Sequence, residues 1–419
     1  DPRLLAACGI VATEDVVSSQ TARRPRSSSR LDSLASQQAR VNAPDGLPPL
    51  SLPFVIVDEA CQSVEPASLI PLTSTNSCRS LVLLGDPCQL PPTIRSGTGT
   101  SSPLSISLME RLAATLPQPV IVTAHADHSD KDEKFLVSKP TKQALSLFRD
   151  REGHRQERHV SYRKRFGGSL LLTVQYRMHP SISAFSSALF YDGLLSTPSF
   201  LANQRGFPVS LDVNLPSDNS VVGVRFINVG GRSNERLGNR SKDSKPAFVP
   251  SPSSVGLGQQ TSYWNEEEAL QVMSVIKEML SSHNLTTPCP TSIGVVTPYT
   301  GQVELIKLLL STDKEFKELA KTLSTNIEVK SVDGYQGRER DVIIFSAVRS
   351  NRSGKVGFLS DWRRMNVALT RARSALVVVG DLDTLSEGDS HWAAFGKWCH
   401  GMKCIVDGVQ AQRETAPLS

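Results

Sequence analysis

Short runs of aliphatic and β-branched residues recur along the chain: FVIV (54–57), LVLL (81–84), SLLLTV (169–174), SIGVVT (292–297), DVIIF (341–345) and ALVVVGD (375–381). Helical patterns lie between several of them. The clearest is EEEALQVMSVIKEML (266–280), whose apolar residues are spaced along one helix face. Strands alternating with helices predict an α/β chain with parallel sheets.

At 419 residues the chain has room for two or three domains, and its 39% hydrophobic content supports globular cores. Three segments break the alternation. Residues 19–52 are rich in Ser, Arg and Pro, residues 126–166 carry 11 Lys/Arg against 7 Asp/Glu, and residues 230–262 have low complexity. All three read as solvated insertions, because such composition buries too little apolar surface to order itself. No run of eighteen apolar residues is present, so no membrane span is expected. The amino terminus lacks both Met and a signal-like pattern, and reads as a chain entered mid-domain that is not secreted. Seven cysteines at 8, 61, 78, 88, 289, 399 and 404 form no CxxC pair, which points to a reducing compartment without structural zinc. A net charge of +5 hints at a polyanionic partner.

Chemistry gathers where strands end. FVIVDEACQ (54–62) runs an apolar strand into Asp58 and Glu59, a common seat for a divalent metal on a phosphate ligand, or else a helix cap. LVLLGDPCQLPPTI (81–94) carries Gln89 on a tight loop stiffened by Pro91 and Pro92, placed to sense something polar or serving only as a surface glutamine. LTVQYRMHPSIS (172–183) ends a strand in Gln175, Tyr176 and Arg177. A guanidinium fork suits phosphate oxygens and a tyrosine ring suits a purine, although a structural salt bridge and core packing would use the same residues. VDGYQGRERD (332–341) lies between two strands, and RRMNVALTRAR (363–373) puts Arg371 and Arg373 after a helical run. Each motif alone is weak, whereas their order and spacing together are strong.

In that order the motifs resemble the superfamily 1 helicases of the nonsense-mediated-decay group, above all the senataxin-like branch. The likeness rests on VDEACQ (57–62), IPL (70–72), GDPCQLPPT (85–93), QYRMHPSIS (175–183), FY-G-L (190–194), TPY with Gln302 (297–302), VDGYQGRERD and GFL-D-RRMNVALTRAR (357–373). It implies two RecA-like parallel-sheet domains of the P-loop NTPase type: a partial first one over 1–168 with insertions 19–52 and 126–166, a second over 169–405 with insertion 230–262, and a tail from 406 to 419. It implies ATP and Mg²⁺ as cofactors and a function as ATP-dependent RNA or RNA–DNA helicase moving 5′ to 3′. Asp58 would help hold Mg²⁺, Glu59 would polarise the attacking water and Gln89 would contact the γ-phosphate. Tyr176 would stack on adenine, Arg177 and Arg371 would act as arginine fingers, Glu339 would meet the ribose and Gly337 the γ-phosphate. Thr13, Pro91, Thr297, Tyr299, Ser331 and Asp333 would contact single-stranded RNA, DNA or a hybrid, mainly through phosphates. For Thr297 and Tyr299 a strand end and a packed ring explain the residues equally well. The senataxin-like likeness implies the nucleus ahead of the cytoplasm.

The family's phosphate loop, GxxxxGK[ST], is missing from the 419 residues: SGTGT (96–100) has no lysine and RSGK (352–355) is followed by Val356. In the family that loop precedes a segment resembling CGIVATEDVV (8–17), so it would lie ahead of residue 1. The intact carboxylates and arginines favour a fragment over a lost ATPase. Two other classes stay open: a non-catalytic nucleic-acid-binding protein that kept the fold, and a helicase–nuclease fusion.

Overall fold

A segment such as SIGVVT carries a backbone donor and acceptor at every residue and few polar side chains to satisfy them, so once buried it must pair with other strands. It does so in the computed structural model, which describes residues 51–73, 77–94, 103–113, 120–122, 135–137, 170–204, 223–231, 234–238, 262–281, 291–322 and 325–408. Those up to 122 together with 170–172 form one unit, and 135–137 with 173–408 form another.

In the first unit β1 (Phe54–Val57) and β2 (Ser80–Leu83) pair in parallel, joined through α1 (Glu65–Thr73). A short α2 (Leu108–Ala113) follows, and its Arg111 grips the Glu65 carboxylate with both fork nitrogens, at 2.6 and 2.7 Å. β3 (Val120–Val122) pairs in parallel with Leu170–Leu172, which is β5 in chain order. β4 (Phe135–Val137) intervenes in sequence and belongs to the second unit, where it runs antiparallel to β6 (Ser196–Pro198).

The second unit begins with α3 (Pro180–Phe190) and, after β6, α4 (Ser199–Gln204). Next come β7 (Val224–Asn228), a hairpin of β8 (Glu235–Leu237) with β9 (Tyr263–Asn265), and α5 (Glu266–Ser281). The chain continues through β10 (Ser292–Thr297), α6 (Thr300–Thr312), α7 (Lys314–Thr322), β11 (Asn326–Ser331) and β12 (Arg340–Ser346). It closes with α8 (Trp362–Leu369), β13 (Ala372–Gly380), α9 (Leu382–Gly388), α10 (Ser390–Gly401) and β14 (Ile405–Asp407). Six of these strands make one parallel sheet in the order β11-β10-β12-β13-β7-β14, registered by pairs such as Val295 with Ile344 and Ile344 with Val377.

Helices cover both faces, as a parallel sheet requires. On one face the apolar stripe of α5 (Ala269, Val272, Ile276, Met279) packs with Leu305 and Ile306 of α6 onto Ile293, Val295, Ile344 and Val377. On the other, Trp392 and Phe395 of α10 meet Phe345, Phe226 and Phe185, with Trp392 stacked on Phe345 at 5.7 Å between centroids. This is the mixed α/β, RecA-like architecture that the strand–helix alternation and the family likeness imply. No described helix is long and apolar enough to cross a membrane.

Parts of two segments read as solvated insertions form strands: β4 lies within 126–166 and β8 within 230–262. For β8 the reason is a polar anchor. Glu235 accepts from both fork nitrogens of the buried Arg349 (2.9 and 3.1 Å), from the Ser350 backbone N–H (2.8 Å) and from Asn351 Nδ2 (2.9 Å). Most of the three segments lies outside the described residues.

Candidate functional site

In the first unit β1 ends at Val57 and the chain turns at once. Glu59 sits in the left-handed region at φ 50°, a conformation that costs a non-glycine residue about 1–3 kcal/mol and persists only where its surroundings impose it. Here Ala60 N–H donates to Leu84 O at 2.7 Å and Leu84 N–H to Val57 O at 2.9 Å, tying the turn to the end of β2. Glu59 N–H donates to Asp58 Oδ1 (2.9 Å), and Gln62 Nε2 donates to Glu59 Oε2 (2.7 Å). Both carboxylates remain exposed. α1 starts only at Glu65, so Asp58 is too far back to be its cap. Beyond β2, Asp86 accepts Cys88 N–H and Gln89 Nε2, each at 2.9 Å, while buried Cys88 and Leu90 anchor the loop. Gln89 and Pro91 are half-buried.

In the second unit Gln175 organises the QYRM loop. Its Oε1 accepts the Arg177 and Met178 amides (3.0 and 2.7 Å), and its Nε2 donates to Met178 O (2.8 Å) and Thr197 Oγ1 (2.5 Å). Gln175→Ala is expected to strand these groups and cost about 2–3 kcal/mol, read as a lower denaturant midpoint in equilibrium unfolding.

Held this way, Arg177 Nε reaches Glu339 Oε2 at 2.5 Å and its Nη1 reaches Thr370 O at 3.2 Å. Arg373 donates through Nε to Glu339 Oε1 at 2.9 Å and through Nη2 to the same oxygen. Two half-exposed guanidiniums thus share one carboxylate at the amino ends of β12 and β13. Burial pushes the Glu339 carboxyl up, but the hydrogen bonds and charges of Arg177 and Arg373 prevail and hold it down at about 2. Arg373 Nη1 also lies 3.8 Å from Asp341 Oδ1, so two guanidiniums meet two carboxylates here. Tyr176 beside it is 57% exposed, its ring facing solvent.

Arg371 differs. It is 2% exposed, with Nε on Val367 O (2.9 Å) and Nη2 on Thr370 Oγ1 (3.0 Å), folded back on the end of α8. Of the two expected fingers only Arg177 meets solvent. Thr297 is fully buried and Tyr299 is 4% exposed, so these side chains meet the interior. Burial pushes the Tyr299 hydroxyl up, against the stabilising contact with Arg349. Ser331 accepts Gly334 N–H at 3.2 Å, and exposed Asp333 pairs with Arg364 Nε at 3.2 Å. Thr13 lies outside the described residues.

The sequence reading missed a buried polar network behind the carboxyl ends of β10 and β12. Glu268 Oε2 accepts Ser346 Oγ (2.7 Å) and Val348 N–H (2.8 Å), and its Oε1 accepts Asn265 Nδ2 (3.3 Å). Gln302, quoted only as part of a motif, bridges Asn265 O and Ser346 Oγ through Nε2, each at 3.0 Å. The signal was a third acid in EEE, falling on the apolar stripe of α5.

Comparison with known proteins fits this geometry. Residues 157–383 match a family described as AAA domain, and residues 43–97 match a second family of that description. The chain is 31% identical over 360 residues to a regulator of nonsense transcripts 1 homolog from Arabidopsis thaliana, covering 84% of this chain and 22% of that protein. It is 30% identical to helicase sen1 of Schizosaccharomyces pombe, over 81% of this chain and 15% of the relative. It is also 30% identical to the DNA polymerase alpha-associated DNA helicase A of Saccharomyces cerevisiae, over 82% and 41% respectively. The chain therefore spans well under half the length of each of these relatives.

Proposed function

The chain belongs to the superfamily 1 helicases of the nonsense-mediated-decay and senataxin-like group, and from this we infer that it is the motor part of an ATP-dependent RNA or RNA–DNA helicase acting in the nucleus. The observation that carries the reading is the Arg177–Glu339–Arg373 cluster. Its half-exposed guanidiniums, held by Glu339 and Asp341, stand beside the exposed ring of Tyr176, so planar cations and an aromatic face are offered together, as a nucleoside polyphosphate needs.

The residues present fit ATP with Mg²⁺. Gly337 has φ +71°, and nothing lies within 4 Å of where a Cβ would stand, which leaves its backbone open to a phosphate. When bound, the nucleotide and metal supply the phosphoryl transfer that drives movement. Asp58, one oxygen of which already holds the Glu59 amide, is the metal-side carboxylate. Glu59, oriented by Gln62, is the proton acceptor for water, and Gln89 the polar sensor. Tyr176 offers its ring to the base, Glu339 its carboxylate to the ribose, and Arg177 its charge to the phosphates, with Arg371 following if it leaves Thr370. Pro91 in the first unit, and Ser331 and Asp333 in the second, would each contact the strand, and buried Thr297 and Tyr299 would support the second unit's surface from beneath. The domain division near residue 168 belongs to this reading.

One observation favours a second reading, a non-catalytic nucleic-acid-binding protein on the same fold: the 419 residues hold no GxxxxGK[ST]. Binding of single-stranded RNA, single-stranded DNA and a hybrid across a salt series tests what the two readings share. Log affinity for a single strand is expected to fall with log salt by about 0.7 per phosphate contact. Binding that is absent or indifferent to salt would overturn both.

A further inference from the structure

We propose that Phe358 is a base-stacking platform for single-stranded nucleic acid, presented at the carboxyl end of β10 with Arg364 at its side; the proposal rests on the nucleic-acid reading above. Tyr299, one of the residues that the family likeness puts against nucleic acid, is buried, and the ring packed against it at a tilt, Phe358, is exposed. Their centroids are 5.8 Å apart with planes at 50°, and Phe358 is 60% exposed.

The segment is built to hold that ring out. Gly357 has φ +57°, and a Cβ there would stand 2.5 Å from Arg349 Nη1 and 2.9 Å from Tyr299 Oη. Only glycine lets the chain lie this close, and the 3-10 turn Gly357–Ser360 then turns Phe358 to solvent. The support is rigid. Tyr299 Oη donates to Val356 O and accepts from Arg349 Nη1, both at 3.3 Å. Arg349 lies 4.2 Å from the centroid of Tyr263 and is clamped by Glu235. A ring fixed beforehand loses little freedom when a base stacks on it.

The surroundings select the occupant. The Arg364 guanidinium lies 5.6 Å from the Phe358 centroid, held by Asp361 at 2.9 Å and Asp333 at 3.2 Å. Arg364 thereby joins Phe358 to Asp333 and, one turn away, to Ser331, on one surface beyond the carboxyl ends of β10 and β11. An exposed, rigidly held ring with one guanidinium beside it suits the stacking of a base, and suits a strand in single-stranded form, where base faces are free.

Fluorescence anisotropy with a fluorescein-labelled oligouridylate, using the full chain, tests the proposal against an abasic strand of equal length. Phe358→Ala is expected to weaken oligouridylate binding about tenfold, within the range for one lost base stack. Phe358→Trp should restore it. The abasic strand should bind wild type and Phe358→Ala alike, and thermal unfolding should not move. Equal affinity of wild type and Phe358→Ala for oligouridylate would overturn the platform and leave the helicase reading intact. An equal loss on the abasic strand would make Phe358 a structural residue and also overturn it. Failure of wild type to bind any strand would overturn both.

Discussion

Raising the pH from about 6.5 to 8.5 is expected to destabilise the second unit by about 2 kcal/mol, and Glu268→Gln is expected to remove most of that dependence. Glu268 is completely buried on α5. Burial pushes its carboxyl up to about 8, assisted by the charge of buried Asp381, although Val348 N–H and Ser346 Oγ pull it down. In the unfolded chain the same group titrates near 4.5. Between those values the folded protein holds a proton that the unfolded chain has released, so stability falls as pH rises and levels off only above about 8. His179, which caps α3, works the other way. Burial lowers its basicity, so it favours folding as pH rises towards 7 and then adds nothing further. Comparing wild type with Glu268→Gln cancels that contribution. Glutamine keeps an oxygen for Ser346 and Val348 and has no charge to bury. The variant should therefore unfold at a temperature several degrees above wild type at pH about 8.5, and near it at pH about 6. Thermal unfolding by circular dichroism at the two pH values decides the matter. Parallel curves would mean that Glu268 is not the titrating group.

The sequence exposed the sheet better than the site. FVIV and SIGVVT are strands to the residue, because short runs rich in Val and Ile favour extended pairing over a helix. VRFIN, a strand of the same sheet paired with both β13 and β14, was missed because Arg225 interrupts its apolar pattern. At the site, residue type was legible and direction was not. Tyr299 reads equally as a nucleic-acid contact and as a packed ring, and the fold places it in the interior with Phe358 against it. Arg177 reads either as a phosphate ligand or as half of a salt bridge. The structure shows the bridge to Glu339, 162 residues away, and a guanidinium that still meets solvent, which keeps the other role open. Segment 230–262 looked unable to order itself because composition measures apolar burial, and Glu235 is held by Arg349 instead.

A chain of these 419 residues is expected to bind ATP at least a hundredfold more weakly than the same chain joined to a GxxxxGK[ST] segment, and not to hydrolyse it. A triphosphate brings several negative charges, and in the first unit it would meet the carboxylates of Asp58 and Glu59. The cations available in the second unit are already engaged: Arg177 and Arg373 share Glu339, and Arg371 lies buried on α8. Each charge-assisted hydrogen bond from a phosphate loop would contribute about 1.5–3 kcal/mol, and every 1.4 kcal/mol is tenfold in affinity. Two missing donors therefore suffice for the expected loss. Single-strand binding should persist, because Phe358, Arg364 and Asp333 need no nucleotide. With the loop supplied, turnover should appear. Glu59→Gln should then abolish it while leaving nucleotide affinity within about threefold, since Glu59 serves the water and not the nucleotide. Strand-stimulated hydrolysis by the purified 419-residue chain, lost on Glu59→Gln and hence not a contaminant, would overturn the expectation. It would mean that another segment of this chain cradles the phosphates, with the sequences SGTGT (96–100) and RSGK (352–355) the first to replace.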